Sequence, residues 1–485
     1  MIKTCIIRIE DEVNVKLDGL DLSTRKDCAS AVKYFLPHAR YSPAFKLGRW
    51  DGTQSFCTLG GRTYLSLLNK MLPILQENDY EFEIEDLRYP YQFDLKKIDE
   101  SYFSHIKWPD GHRAAGEPIV LRDYQVTAIN ECIENLQGLS IAPTSAGKTL
   151  ITAALSSLAQ TYGRTIVIVP NKNLVQQTEE DYRNIGLDVG VLYGDRKEYD
   201  RTHTICTWQS LNVLDKKSKD ALDDGQKDIF LNNLVAVICD EVHMVKNAGV
   251  LHTLLTTTFA SVPIRWGLTG TIPEEEYNQV SLYSAIGPLI GSLTAKDLQE
   301  QGHLAQCTIN ILHTQETATY NDYQAELKFL TTDKSRLTWL AGLLGKISDT
   351  GNTLVLVDRI ESGEILHELL PGSTFISGKM KATKRKEHYK EINLENNSVM
   401  IATYGTTSTG ISINRIFNLV LVEPGKSFVR VIQSIGRGLR KADDKDAVTI
   451  YDVASKCKFS NRHLIKRRKF YTEVQYPFST EKITY

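Results

Sequence analysis

No stretch of this 485-residue chain is apolar for long enough to cross a bilayer; its longest apolar runs, such as 354–357 and 234–239, have the length of strands. Residues 1–12 place Lys3, Arg8, Glu10, Asp11 and Glu12 where a signal peptide requires a continuous apolar core, so export is not expected. Paired cysteines are missing too. The eight cysteines, at 5, 28, 57, 132, 206, 239, 307 and 457, form no CxxC pair and have no clustered histidine beside them. That argues against zinc and for reduced side chains in the core of a cytoplasmic protein. A charge excess is also absent. With 57 Lys+Arg against 59 Asp+Glu, the net charge of −2 gives no general pull toward polyanions, although local clusters stand at 379–386 and 466–469. Nucleic acid is neither required nor excluded by the total.

What is present is enough apolar material, 42% of the chain, to fill several cores, and the length predicts roughly three domains. From about Leu139 short β-branched runs at 165–169, 204–206, 234–239 and 264–268 alternate with helix-patterned stretches. A second series follows at 353–357, 373–376, 399–403, 419–422 and 447–453. Such alternation predicts α/β domains with parallel sheets and crossover helices. Residues 300–333, mixed and polar, are expected to hold a crossover between the two. The first hundred residues differ: a turn-rich YSPAFKLGRWDG (41–52) precedes a short strand and a helix-patterned 65–72, as in a small α+β accessory domain. The expected division is 1–110, 111–305 and 306–485.

Ser140 and Ile141 close an apolar strand that runs into Ala142, Pro143, Thr144, Ser145, Ala146, Gly147, Lys148 and Thr149, followed by a helix-forming 150–158. A phosphate loop requires that order of strand, loop and helix. Backbone N–H groups converge there at a positive helix end, Lys148 neutralises β- and γ-phosphates, and the Thr149 hydroxyl ligates Mg²⁺. The competing account is a chance GKT closing an ordinary strand–helix turn. Downstream, the buried-strand run 234–239 ends in Asp240-Glu241-Val242-His243, placing two carboxylates at the C-terminal edge of a sheet, where ligands bind in open α/β folds. Asp240 would hold Mg²⁺ and Glu241 would orient and deprotonate the attacking water. An acidic helix N-terminus is the structural alternative, and His243 alone is as readily a structural histidine.

The ordered set RDYQ (122–125), the phosphate loop, DEVH, LTGT (268–271) and QSIGRGLR (433–440) resembles helicase superfamily 2 over residues 121–440. Together with TWQS (207–210) and FKLGRWDG (45–52), it resembles the UvsW-type phage branch-migration DNA helicases and their XPB-like and RecG-like relatives. The resemblance implies two tandem RecA-like parallel-sheet domains behind the small N-terminal α+β domain. It implies that Gln125, with Arg122 nearby, recognises adenine of ATP, since a carboxamide can pair a donor and an acceptor on one base edge. It also implies that Gln433, Arg437 and Arg440 face the γ-phosphate, with Arg440 as the arginine finger; from the residues alone GRGLR could be a solvated basic helix face.

Nucleic-acid contacts are expected from loops that follow strands. In the first domain these hold Pro170 and Asn171, then Thr207, Trp208 and Gln209; in the second, Asp358, Arg359, Thr403, Thr406 and Gly410. Hydroxyls, carboxamides and helix N-termini suit phosphate oxygens, which gives sequence-independent, salt-sensitive binding. Each first-domain loop could equally be a helix cap. Trp50, beside Lys46 and Arg49, is either a wedge at a DNA junction or an anchor of the small domain's core. The expected activity is an ATP- and Mg²⁺-dependent DNA helicase or translocase acting on forked and junction DNA in replication, recombination and repair. An RNA helicase is an alternative, because such motifs grip a backbone and do not distinguish the sugar; another is an ATP-dependent DNA clamp that separates no strands. No membrane is implied, no protein partner can be named, and a monomer is compatible with the sequence.

Overall fold

The β-branched runs are strands of two parallel sheets. In the computed structural model the described residues are 3–36, 38–110, 112, 114–217, 230–245, 249–407, 413–426, 435–436, 439–442 and 444–485. They fall into two compact units: Met1–Ala142 with Gly147–Ser292, and Pro143–Ala146 with Leu293–Tyr485.

The first unit begins with β1 (Lys3–Ile9), β2 (Asn14–Asp18), β3 (Lys33–Phe35), β4 (Thr53–Ser55), β5 (Arg62–Tyr64) and β6 (Tyr80–Asp86). Four of them form a mixed sheet in the order β5-β2-β1-β6, and β3 pairs with β4 as a separate ribbon. Helices Leu22–Ala31 and Leu68–Glu77 complete this α+β domain. Its core extends onto the following RecA-like domain, taking in Tyr277 and Val280. Four polar bonds add to the docking. Glu12 N donates to Ala260 O (3.0 Å), Asn14 Nδ2 to Thr256 O (2.9 Å), Gln137 Nε2 to Glu12 Oε2 (2.8 Å) and Tyr277 OH to Gln54 Oε1 (2.9 Å).

The RecA-like part of this unit contains β7 (Gln137–Ile141), β8 (Arg164–Val169), β9 (Val189–Tyr193), β10 (Arg196–Lys197), β11 (His203–Thr207), β12 (Leu234–Asp240), β13 (Ile264–Thr269) and β14 (Leu289–Ser292). Their order is β10-β9-β11-β8-β12-β13-β7-β14, parallel throughout except for the short β10. A sheet covered on both faces needs strands that are apolar on both. Accordingly Val167 and Val169 belong to one core and Ile166 and Ile168 to the other.

The second unit holds β15 (Gln306–Thr314), β16 (Thr353–Val357), β17 (Thr374–Ile376), β18 (Val399–Thr403), β19 (Asn418–Val422), β20 (Ala447–Ser455) and β21 (Phe478–Ile483). They form a parallel sheet in the order β17-β18-β16-β19-β20-β15-β21. β15 occupies the segment expected to be a crossover. Its sequence QCTINILHT alternates, burying Cys307, Ile309 and Ile311 while Gln306 and Thr308 stay exposed, so polar residues dilute its apolar signal.

Two buried histidines make the first unit acid-sensitive. Burial pushes His203, bonded to Thr165 Oγ1 (2.7 Å), down to about 4 from an ordinary 6.5, and it pushes His252 to about 4 as well. Between those values the unfolded chain binds protons that the folded one refuses. The stability is therefore complete above about pH 6.5 and lost as pH falls toward 4. Thermal melts are expected to give a lower midpoint at pH 5 than at pH 7.5; equal midpoints would contradict this account.

Candidate active site

Parallel strands bring their following loops to one edge, and in the first unit β12, β13 and β7 lie side by side. The register pairs Asp240 with Leu268 and Thr269 with Ile141, and Ala142 N donates to Thr269 O at 2.8 Å. The carboxylate segment, LTGT and the phosphate loop are thus neighbours by sheet topology. Helix Lys148–Ala159 starts directly from Gly147, whose φ is +77°. Ser145 (φ +76°) and Glu241 (φ +53°) adopt the same left-handed region without being glycine. Strain of this kind costs of order 1–3 kcal/mol per residue and clusters at functional sites.

Lys148 Nζ donates to Glu241 Oε1 at 2.8 Å, both side chains being largely buried. His243 Nδ1 lies 3.3 Å from Glu241 Oε2 and 2.9 Å from Thr269 Oγ1. Burial opposes the charge on Glu241, but the Lys148 ammonium and His243 outweigh it and hold this carboxyl well below the usual range. Asp240 goes the opposite way. Burial raises its pKa, Lys148 offsets only part of that, and the Glu241 charge adds to the rise. Adjacent acids thus differ sharply in proton affinity, an arrangement typical of sites that divide roles between carboxylates. The one hydrogen bond to the Asp240 carboxylate among the described residues comes from Glu241 N (2.9 Å).

Gln125 lies at the start of helix Asp123–Glu134 and is buried, its Oε1 accepting from Arg122 N at 3.0 Å. Arg122 Nη1 donates to Tyr124 OH at 2.8 Å, so the tyrosine positions the arginine. The Gln125 amide lies against Gly147, so that a Cβ there would collide with Nε2. Gly147→Ala therefore combines a strained φ with a clash. It is expected to weaken binding of a non-hydrolysable ATP analogue at least about tenfold while the chain still folds, because displacing Gln125 disturbs both sides of one site. Unchanged affinity would contradict the proposed contact.

A family model described as "Type III restriction enzyme, res subunit" matches residues 118–274. Over 470 residues the chain is 23% identical to the ATP-dependent DNA helicase uvsW of Enterobacteria phage T4, covering 92% of this chain and 90% of that protein. The chain is thus similar to helicases of the UvsW type and shares its phosphate-loop region with the restriction-enzyme family model. The chain is also 26% identical over 346 residues to the putative DNA 3'-5' helicase Rad25 of Haloarcula marismortui, covering 68% of its own length and 52% of that protein's. Among solved structures, the ATP-dependent type ISP restriction-modification enzyme LlaBIII bound to DNA matches with a TM-score of 0.56 at 16% identity, over 86% of this chain and 36% of that one. That likeness concerns the fold.

The other residues singled out from the sequence are placed as follows. Pro170 and Asn171 follow β8, and Asn171 Oδ1 accepts from Asn173 N (3.0 Å) and Leu174 N (3.2 Å) as the cap of helix Lys172–Asn184. Thr207, at the end of β11, bonds Ser210 Oγ (3.1 Å), Trp208 packs against a core, and Gln209 is exposed. In the second unit Arg359 Nη2 donates to Gln324 Oε1 (2.9 Å), next to a half-buried Asp358. Thr403 and Thr406 are buried with their hydroxyls 3.1 Å apart. Within the second unit Arg440 Nε donates to Ser145 Oγ at 3.0 Å, and burial pushes the Arg440 guanidinium down to about 10. Gly410, Gln433 and Arg437 lie outside the described residues.

Trp50 is half-buried against the N-terminal core, and its Nε1 donates to Thr53 O at 2.8 Å. Two relations escaped the sequence. His243 bridges Glu241 and Thr269, and Gln125 abuts Gly147. The only signal for the first was the position of His243 two residues after Glu241, and the second had none.

Proposed function

We propose that this chain is an ATP-driven DNA helicase or translocase that remodels forked and junction DNA. The observation that carries the reading is the Lys148–Glu241 pair beside Asp240 at the C-terminal edge of a parallel sheet. Lys148 and Glu241 neutralise one another while no phosphate is near. Phosphates of ATP compete for the Lys148 ammonium, and its departure leaves Glu241 Oε1 free to accept a proton from the attacking water. His243 keeps the other Glu241 oxygen oriented and links it to Thr269. Gln125 and Arg122 take the adenine side, with Gln125 Oε1 held by Arg122 N. The turn from Pro143 through Thr144, Ser145 and Ala146 to Gly147 surrounds the phosphates with backbone N–H groups.

Thr149 and Asp240 would hold Mg²⁺. A hydroxyl and a buried carboxylate are hard oxygen donors suited to it, and a carboxylate deprived of water favours a cation. Bound there, the ion would neutralise charge on the β- and γ-phosphates. Gln433, Arg437 and Arg440 are assigned to the γ-phosphate in the closed state. The division into residues 1–110, 111–305 and 306–485 is the matching domain assignment. Loops at the strand ends, with Asn171, Gln209, Arg359 and Thr406 among them, grip the phosphate backbone, and branched DNA is the preferred substrate, taken by a monomer.

A strand-displacement assay with fork, four-way junction, tailed duplex and RNA hybrids, run beside ATP hydrolysis, tests the reading. DNA-stimulated hydrolysis with faster opening of forks and junctions than of tailed duplex is expected. Preferential stimulation by RNA would replace the substrate class, and stimulated hydrolysis without displacement or migration would leave a clamp.

A further inference from the structure

The C-terminal helix Lys458–Glu473 carries six lysines and arginines and a single acid, Glu473, in a chain of almost balanced charge. Lys458, Arg462, Lys466 and Lys469 are exposed and lie at offsets of 4, 8 and 11 residues. At about 100° per residue these offsets fall within about 80° of one another around the axis, along about 16 Å of helix. Ser460, Leu464, Arg467 and Tyr471, on the other side, are buried. Arg467 is spent in the core on Asp452 (2.8 Å), which separates structural from surface charge on one helix.

The surface cations are held by almost nothing. Lys458, Arg462 and Lys466 have no carboxylate within ion-pair distance among the described residues, nor has Lys426, four residues beyond the end of β19; only Lys469 has one, Glu473 at 3.5 Å. Burial, then the charges of Arg467, Lys426 and Lys466, push the pKa of His463 down to about 4. The imidazole therefore adds no charge near neutrality, and the patch around it is strongly positive. Lys458 and Lys426 stand at the edge where β20 and β19 end, the edge on which Thr403 also lies.

We propose that this stripe, Lys458–Arg462–Lys466–Lys469 with Lys426 at its end, holds the backbone of duplex DNA and gives the motor a grip on the double-stranded arm of its substrate. The inference rests on the proposed action on DNA and names a surface for it. Phosphates of one duplex strand advance about 3.4 Å each along the axis, so about 16 Å of stripe spans about five of them. Single-strand binding uses aromatic platforms. The rings near this stripe are already engaged, Phe459 and His463 both meeting Tyr323, at 6.2 and 5.0 Å between centroids. Cations without a stacking surface fit a stacked duplex, read through its phosphates alone.

The test compares wild type with the triple variant Lys458→Gln, Arg462→Gln, Lys466→Gln in binding a blunt random-sequence duplex and oligo(dT) across a potassium chloride series. For the duplex, the slope of log K against log[salt] is expected to become shallower by about 2–3, because each duplex phosphate contact contributes about 0.9. Affinity at 100 mM salt should fall at least about tenfold. Binding of oligo(dT) and ATP turnover at saturating oligo(dT) should be unchanged, with an unaltered circular-dichroism melt. A charge-keeping variant, Lys458→Arg, Arg462→Lys, Lys466→Arg, should retain the wild-type slope. An unchanged duplex slope in the neutral variant overturns the proposal, as does an equal loss on oligo(dT). Wild-type protein that neither binds DNA nor is stimulated by it refutes the underlying function before any variant is compared.

Discussion

Glu241→Gln is expected to lower DNA-stimulated ATP turnover by about three orders of magnitude while ATP still binds, because a positioned general base contributes about 10²–10⁴-fold. The substitution keeps shape and hydrogen bonding: the Gln carbonyl oxygen can still accept from Lys148 Nζ, which now donates to Glu241 Oε1 at 2.8 Å. What disappears is the acceptor for the proton of the attacking water. Single-turnover hydrolysis and equilibrium binding of a fluorescent ATP analogue separate the two effects, and turnover near wild type would overturn the site. Lys148→Ala also stops hydrolysis, for a less specific reason. It leaves a largely buried carboxylate without its cation, and breaking such a pair costs about 3–5 kcal/mol. Lost activity in that variant must accordingly be accompanied by a melt, whereas the Gln variant isolates the chemistry.

Arg265→Met is expected to destabilise the first unit by about 3 kcal/mol or more. Arg265 is fully buried on β13 and forms no carboxylate ion pair among the described residues. Its Nη2 donates to Leu255 O at 2.7 Å and its Nε to Ala285 O at 3.1 Å, the last turns of helices Val250–Thr256 and Glu276–Ile286, and its Nη1 reaches Phe259 O. The negative ends of two helix dipoles and the loop carbonyl thus stand in for a counter-ion. Methionine removes the Arg265 donors from Leu255 O and Ala285 O, at about 1–3 kcal/mol each, while Phe259 O keeps Val262 N; no longer burying a charge offsets part of the loss. Denaturant unfolding followed through tryptophan fluorescence, to which Trp266 beside Arg265 contributes, reads the loss; a midpoint equal to wild type would contradict it.

Neither Arg265 nor its role was visible in the sequence, since an arginine inside the strand run IRWGLT carries no local hint of the carbonyls it serves. The phosphate loop and the DEVH acids were legible because strand, turn and helix must follow one another within a few residues for that chemistry. Strands such as Thr353–Val357 and Val399–Thr403 were legible for a similar reason, since burial on both faces requires unbroken apolar runs. β15 and β21 were not. The first hides its core-facing residues among Gln306, Thr308 and Asn310, and the second, FSTEKI, lies at an edge where one side needs no cover. Contacts between Gln125 and Gly147, or among His243, Glu241 and Thr269, join residues that only the completed sheet brings together.

The docking of the N-terminal domain has a mechanical consequence. Phe56 packs on Tyr277 at 5.4 Å and Tyr64 on His252 at 5.9 Å, and with Asn14 on Thr256 O they tie the small sheet to the helices that Arg265 caps. These contacts fasten the small domain to the same compact unit that carries Lys148 and Glu241. In mechanical terms the small domain is a fixed jaw of a wrench, joined to its handle on two helices at once.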